Sequence, residues 1–379
     1  MYVKIPLQVN MLIEAHLSKS TAGNTPPRGM RKRRGCRSDR RGTRLLAVRI
    51  TSALLSHFFA ECYPSFFWGG WRFAVHFLIF TGDFIMKNTV FTGAATAIVT
   101  PLNENGIDFE AFGRLIDFQI ENSIDAIVTV GTTGEGSTLT DEEHKAAIKF
   151  TVDRVAGRVP VIAGTGSNDT AYAIELTKYA CEVGADAMLL VTPYYNKATQ
   201  EGMYLSFIAV AEASTKPCIL YNVPSRTGCN LLPSTVARLA EHPNIVGIKE
   251  ACGNISQIAE LARLCADKLD IYSGNDDQII PVMSLGGVGV ISVLSNLIPR
   301  ETSNMCRLFL EGDVKAARDM QLHYLPLIDA LFSEVNPIPV KAAMSAMGYG
   351  ENYLRLPLTP MSADKEAHLL SLMRSEGLI

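Results

Sequence analysis

At 379 residues with a formal net charge of −3, the chain has ample apolar material for one large domain or two ordinary ones. Acids and bases are interspersed over most of the length, a balance that points away from nucleic acid as a partner. The eight cysteines (Cys36, Cys62, Cys181, Cys218, Cys229, Cys252, Cys265 and Cys306) form no C-x-x-C pair. That pattern favours reduced thiols in a cytoplasmic protein over a disulfide framework or a zinc site.

Residues 1–85 differ from the remainder. Arg28 to Arg49 is arginine-dense, acid-poor and without apolar periodicity, which predicts disorder. Phe66 to Phe80 is apolar and aromatic, but Arg72 and His76 interrupt it and it is short for a bilayer span. Three readings are open: a transit peptide, a membrane tether, or upstream sequence translated from too early a start. The third is preferred because Met86 directly precedes the first well-patterned segment, and Thr81-Gly82-Asp83 can be encoded by a purine-rich ribosome-binding stretch; the DNA sequence tests it. A tail that binds nucleic acid or membrane would instead show salt-sensitive binding lost on deletion to Met86.

From Thr92 onward the pattern is regular. Apolar, β-branched runs recur at Ala95–Thr100, Ala126–Gly131, Val159–Gly164, Ala187–Thr192, Cys218–Asn222, Ile245–Glu250, Leu269–Ser273 and Val288–Val293. Between them lie helix-length amphipathic segments. Asp141-Glu142-Glu143 opens one with carboxylates at the positive end of the helix dipole, Asn168 or Asp169 can cap the next, and Pro233-Ser234 and Asn254-Ile255-Ser256 begin two more. Eight strands alternating with helices predict an α/β fold of the (β/α)8 TIM-barrel type. A doubly wound sheet would show a glycine-rich dinucleotide loop after its first strand, and none follows Thr100. Past Pro299 the pattern is helical, around Glu301–Glu311, Val314–Ser333, Pro337–Met347 and Ala363–Ser375. The expected division is therefore an extension over 1–85, a catalytic barrel over 86–312 and a small helical domain over 313–379.

The sixth run ends in Ile248-Lys249-Glu250. A strand covered on both faces does not hold an unpaired ammonium cheaply, and burial favours the neutral amine. A neutral lysine is a nucleophile that condenses with ketones to a Schiff base. The plainer reading is a lysine that closes the strand and pairs with Glu250 or another carboxylate at the rim.

In such a barrel the active site lies at the C-terminal strand ends. Strand two ends in Gly131-Thr132-Thr133-Gly134-Glu135, whose backbone N–H groups are suited to a carboxylate. Strand four ends in Thr192-Pro193-Tyr194-Tyr195-Asn196, and strand five in Tyr221-Asn222-Val223-Pro224-Ser225-Arg226-Thr227-Gly228. Strand eight reads Gly289-Val290-Ile291-Ser292, where the glycine is expected to let a ligand approach the backbone. Singly, Tyr194, Tyr195 and Tyr221 read as rim packing, Thr132 and Thr133 as turn partners, Arg226 as a solvated charge and Glu135 as a structural acceptor. Their common place at strand ends, together with Lys249, makes a candidate site. No histidine or carboxylate cluster suited to a metal appears among them.

These motifs, with Asn336-Pro337-Ile338-Pro339-Val340-Lys341, closely resemble the dihydrodipicolinate synthase family from about Met86 to the C-terminus. The strand-two GxxGE, the YNxP and the strand-six lysine are shared with the wider pyruvate-dependent aldolase superfamily, including N-acetylneuraminate lyase; the double threonine and Arg226 are the more specific marks. The resemblance implies condensation of pyruvate with L-aspartate 4-semialdehyde through an imine on Lys249, in the diaminopimelate route to lysine, without metal or organic cofactor. It implies Tyr221 as central proton donor and acceptor, relayed through Thr132 and Tyr195, the last reaching in from a neighbouring subunit. Thr133 and the Ile291 carbonyl would hold pyruvate, and Arg226 the semialdehyde carboxylate. It also implies a homo-oligomer, expected to be a tetramer.

Some members of the family are inhibited by lysine at a separate site between subunits, and Ser137, His144, Asn168, Tyr172 and Tyr194 lie at the corresponding positions. Tyr172 replaces a glutamate that binds the effector's amine, and Asp141 stands where a histidine is common, so feedback is expected to be weak or absent. The nearest rival reading is an aldolase for a sialic acid or a 2-keto-3-deoxy sugar acid, against which Arg226 argues. A non-catalytic barrel serving as scaffold or pyruvate sensor is the rival of another class, disfavoured by the intact lysine and relay.

Overall fold

Runs rich in alanine and β-branched residues, apolar on both faces, form eight parallel strands: β1 (Gly93–Ala97), β2 (Ala126–Thr129), β3 (Val161–Gly164), β4 (Ala187–Val191), β5 (Cys218–Asn222), β6 (Ile245–Glu250), β7 (Asp270–Ser273) and β8 (Gly289–Ser292). Each pairs with its sequence neighbours, and β8 pairs with β1, closing the barrel. The structure is a computed structural model and describes residues 87–379. The expectations for residues 1–85 lie outside the described residues.

A helix follows each strand: α1 (Phe109–Glu121), α2 (Asp141–Val155), α3 (Thr170–Glu182), α4 (Gln200–Ala213), α5 (Pro233–Leu239), α6 (Ile255–Cys265), α7 (Ile279–Ser284) and α8 (Pro299–Leu310). Their starts follow local chemistry. Thr140 and Glu143 form a reciprocal capping box on α2, with Asp141 and Glu142 in the same acidic first turn. Of the two candidate caps for α3, Asp169 is the one used, accepting from the Ala171 amide. Asn254 caps α6 through the amides of Ser256 and Gln257. Three further helices complete the chain: α9 (Val314–Leu331), α10 (Ile338–Ala346) and α11 (Ala363–Ser375). Arg355 forks onto both oxygens of Glu143 at 2.6 Å each, tying the segment after α10 to the first turn of α2. No helix among the described residues is long and apolar enough to cross a membrane.

Strand alternation sorts side chains into two cores. Ala95, Val128, Ile162, Leu189, Ile219, Tyr221, Tyr272 and Ile291 pack inside the barrel. Ile127, Met188, Leu220, Ile248, Ile271 and Val290 pack outward under the helices. Phe91, just before β1, stacks on Tyr272 with ring centroids 4.3 Å apart, and its carbonyl accepts the Tyr272 hydroxyl at 2.8 Å. That pair fills the barrel floor and leaves the other end for a site.

Two strand ends fall two or more residues short of expectation, and one glycine plays a different part. The second strand stops at Thr129 because Val130 adopts a left-handed φ of 49°, which breaks the ladder. The first strand stops at Ala97, and the Val99 amide turns to the Asn296 side chain at 3.1 Å, binding β1 to the segment after β8. A Cβ on Gly289 would fall 1.9 Å from the Gly93 carbonyl oxygen. This glycine therefore allows β8 and β1 to close the barrel, and the backbone it admits is that of Gly93 instead of a ligand.

Candidate active site

Period two decides what Lys249 meets. Ile248 and Glu250 face outward and Lys249 faces the barrel interior, where it is 5% exposed. Glu250 is therefore not its partner. Both Glu250 oxygens accept from the Asn222 amide at 3.0 and 3.1 Å, and Oε1 also accepts from the Cys252 backbone N–H at 2.9 Å. Burial brings the Lys249 amine down to about 8, with the Asp276 carboxylate opposing and the Arg226 charge adding to the fall.

Tyr221 is the register partner of Lys249 on the adjacent strand. The Lys249 Nζ stands over its ring, 4.5 Å from the centroid. Burial pushes the Tyr221 phenol up, while Arg226 and the Thr132 hydroxyl pull it back, so it is a neutral donor and acceptor at physiological pH. On the far side of Lys249 the register partner is Tyr272, whose hydroxyl is already committed to the barrel floor.

A cavity of about 270 Å³ opens at the C-terminal strand ends, and Thr132, Tyr221 and Arg226 line it. Ser137, His144, Tyr172 and Tyr194 line it too, so residues expected at two separate sites share one cavity in this chain. Lys249 is not part of the lining; its nitrogen lies over Tyr221, which is. Thr133 and Ile291 are also outside the lining, 2% and 0% exposed. Asn168 is not in it either, and its carbonyl accepts from Asn196 at 3.0 Å. Tyr195 does not join the others: with a left-handed φ of 72° it is 88% exposed.

Outside the lining, the carboxylate of Asp141 accepts from the Tyr172 hydroxyl at 3.0 Å and pairs with Lys145 at 2.7 Å. Lys145 bridges on to Glu175 at 2.8 Å. Lys145 and Tyr172 hold the Asp141 carboxyl below its usual range. Burial and the Asp141 hydrogen bond push the Tyr172 phenol up to about 12. His144 is buried with Nε2 2.9 Å from the Gly164 carbonyl, and burial lowers its basicity, so it donates to that carbonyl as a neutral ring.

Asn336 and the partner of Glu135, a residue read as a structural acceptor, were not identified from sequence, nor was Asp276. Asn336 joins two of the predicted substrate grips: its Nδ2 donates to Thr133 Oγ1 at 3.0 Å, and its carbonyl accepts from Arg226 Nη2 at 3.0 Å. Glu135, with a left-handed φ of 56°, accepts from Lys341 of α10 at 2.5 Å, and both side chains are almost wholly buried. Asp276, after β7, is 2% exposed. The only signal for the first two was the Asn336–Lys341 motif, which announces no partner; Asp276 had none.

The model of the dihydrodipicolinate synthetase family matches residues 90–375. A 4-hydroxy-tetrahydrodipicolinate synthase from Lachnoclostridium phytofermentans is 58% identical over 292 residues, covering 76% of this chain and 99% of that protein. One from Alkaliphilus oremlandii is 55% identical over 290 residues, covering 76% of this chain and 100% of that protein. Among solved structures, the chloride-inhibited dihydrodipicolinate synthase from Acinetobacter baumannii complexed with pyruvate superposes with a TM-score of 0.75 at 45% identity, covering 77% of this chain and 100% of that one.

Proposed function

The chain belongs to the dihydrodipicolinate synthetase family, and on that basis we propose the roles of its residues in the 4-hydroxy-tetrahydrodipicolinate synthase reaction. That reaction is a lyase step of lysine biosynthesis through diaminopimelate, condensing pyruvate with L-aspartate 4-semialdehyde. The observation that carries the assignment of roles is the buried Lys249, brought down to about 8 and set over the neutral phenol of Tyr221.

The neutral amine of Lys249 adds to the pyruvate ketone, and loss of water leaves an imine. The protonated imine draws electrons from the methyl carbon, which loses a proton to become an enamine. The enamine forms a carbon–carbon bond to the semialdehyde carbonyl, whose oxygen takes up a proton. The semialdehyde's amine then displaces Lys249 as the ring closes. Tyr221 is suited to shuttle these protons because it stays neutral and lies against both Lys249 and Thr132. Thr133, oriented by Asn336, and the Ile291 carbonyl hold pyruvate; Arg226, steadied by the Asn336 carbonyl, takes the semialdehyde carboxylate.

The exposed Tyr195 completes the relay in the site of a second copy, within a homo-oligomer of the tetrameric kind. Its exposure supports this reading, since a tyrosine 88% exposed leaves most of its apolar ring uncovered. The six described cysteines are free thiols, in keeping with a reducing cytoplasm.

Borohydride reduction in the presence of pyruvate, peptide mass spectrometry and a parallel assay with L-aspartate 4-semialdehyde test the roles together. The expected result is a pyruvyl adduct on Lys249 with consumption of the semialdehyde. An adduct without consumption moves the assignment to the sugar-acid aldolases, and absence of an adduct removes Lys249 as the nucleophile.

A further inference from the structure

The turn that carries Thr132 and Thr133 is strained at both ends. Val130 before it and Glu135 at its close have left-handed φ angles of 49° and 56°, a conformation that a residue with a side chain keeps only where its surroundings hold it. Within the turn the Glu135 amide donates to the Thr132 carbonyl at 3.1 Å. From β1's end, Thr100 Oγ1 donates to the Gly134 carbonyl at 2.8 Å. A second hold from outside comes with α10. Asn336, just before that helix, donates to Thr133 Oγ1 at 3.0 Å, and Lys341, in its first turn, donates to Glu135 Oε1 at 2.5 Å. The Lys341 amide bonds to the Pro337 carbonyl at 3.0 Å, so both donors ride on one turn of helix. Glu135 Oε2 is buried and has no hydrogen-bond partner among the described residues, which leaves Lys341 as the group that holds this side chain.

A buried ion pair is a weak source of net stability, because the loss of hydration offsets most of the attraction, and apolar side chains of similar volume serve that end as well. We propose that Glu135 and Lys341 are positioning residues for pyruvate: their pair ties the strand-two turn to α10 and so keeps Thr133, two residues before Glu135, in the place from which it grips the substrate. The proposal deepens the reading of Thr133 as a pyruvate grip and rests on it. Asn336 aims the Thr133 hydroxyl, and the buried pair fixes the backbone from which that hydroxyl projects. With the pair removed, Glu135 loses what holds its left-handed backbone, and the turn that it closes onto Thr132 is free to relax.

The test sets pyruvate capture against stability. It reads the pyruvate concentration that half-saturates borohydride trapping and, in parallel, the urea midpoint, in wild type, Glu135→Gln, the double variant Glu135→Gln with Lys341→Met, and Thr133→Val. Glu135→Gln leaves Lys341 an oxygen to donate to and removes its counter-charge, so the midpoint should fall while half-saturation stays with wild type. The double variant removes both charges and the tie. Its midpoint should return most of the way to wild type, while half-saturation rises about tenfold, as for a lost hydrogen-bonding grip. A pair that serves stability alone would make capture follow the midpoint in both variants. Unchanged half-saturation in the double variant overturns the proposal, and that variant is decisive even if Glu135→Gln fails to fold, since it strands no buried charge. Thr133→Val should raise half-saturation by a similar factor. If it does not, Thr133 is no pyruvate grip, and the reading of the site falls with the proposal that rests on it.

Discussion

Lys249 and Tyr221 are register partners on neighbouring strands, with the lysine nitrogen 4.5 Å from the centre of the phenol ring. The pairing sets the acid–base order of the site: an amine of lowered basicity lies against a phenol of raised pKa, so both are available as neutral groups at the same pH. Replacing Lys249 by alanine should abolish trapping with pyruvate and lower turnover by more than about 10³-fold, with the circular dichroism spectrum unchanged. Tyr221→Phe keeps the ring beneath the amine and removes only the proton carrier. It should lower turnover by about 10²- to 10³-fold while trapping persists at a reduced rate.

The lowered basicity of Lys249 has a stability consequence of definite sign. In the unfolded chain the amine keeps its proton to about pH 10.5, and in the folded chain to about pH 8. Between those values the unfolded state binds more protons, so stability should rise with pH across that window; below about pH 8 the full cost of burying the ammonium is present. The difference corresponds to about 3 kcal/mol. Lys249→Met, which keeps the volume and removes the charge, should therefore be more stable than wild type at pH 7 by something approaching that amount. Urea unfolding of the two proteins at pH 7 and pH 9.5 checks it, with the gap narrowing at the higher pH.

The Glu135–Lys341 pair places two charges in the interior. Lys341→Met alone strands a buried carboxylate and should cost about 3–5 kcal/mol. The double variant Glu135→Gln with Lys341→Met should recover most of that loss. Denaturant unfolding of the single and double variants gives the coupling directly.

That pair also shows where sequence reading stops. The barrel was legible because its signals are local: apolar runs of strand length, helix starts such as Asp141-Glu142-Glu143 and Asn254, and a lysine in an otherwise apolar strand. Even the separation of Lys249 from Glu250 follows from alternation, since neighbours on a strand face opposite sides. Glu135 and Lys341 are 206 positions apart, and Thr133 and Asn336 are 203; only the return of α10 over the strand-two turn brings them together. Nor does any local pattern mark Asp276, one of two adjacent aspartates after β7, as the one turned inward. Gly289 was legible as a glycine that something must approach, and the approaching group could not be read.

Asn336 holds Thr133 by its side chain and Arg226 by its backbone. Asn336→Ala should leave Arg226 held and free the Thr133 hydroxyl. KM for pyruvate should then rise about tenfold, the worth of one buried hydrogen bond, while KM for the semialdehyde changes less. Steady-state kinetics with each substrate varied in turn separates the two. An equal rise in both constants would mean that the side chain supports the whole rim instead of one grip.

The carboxylate behind Tyr172 is already engaged. A lysine effector would need an unengaged carboxylate for its amine, and Asp141, which the Tyr172 hydroxyl touches, is taken by Lys145 and Tyr172. Lys145 also sets a cation beside Asp141, and a second amine brought to that carboxylate would be repelled. Wild-type protein should accordingly show no inhibition by sub-millimolar L-lysine. Lys145→Ala removes the competing cation and frees Asp141, and should be the variant in which inhibition first becomes measurable; titration of initial rate against L-lysine in both proteins decides. Inhibition of wild type in the sub-millimolar range would show that a tyrosine at position 172 is compatible with effector binding, and that the Asp141–Lys145 pair opens to admit it.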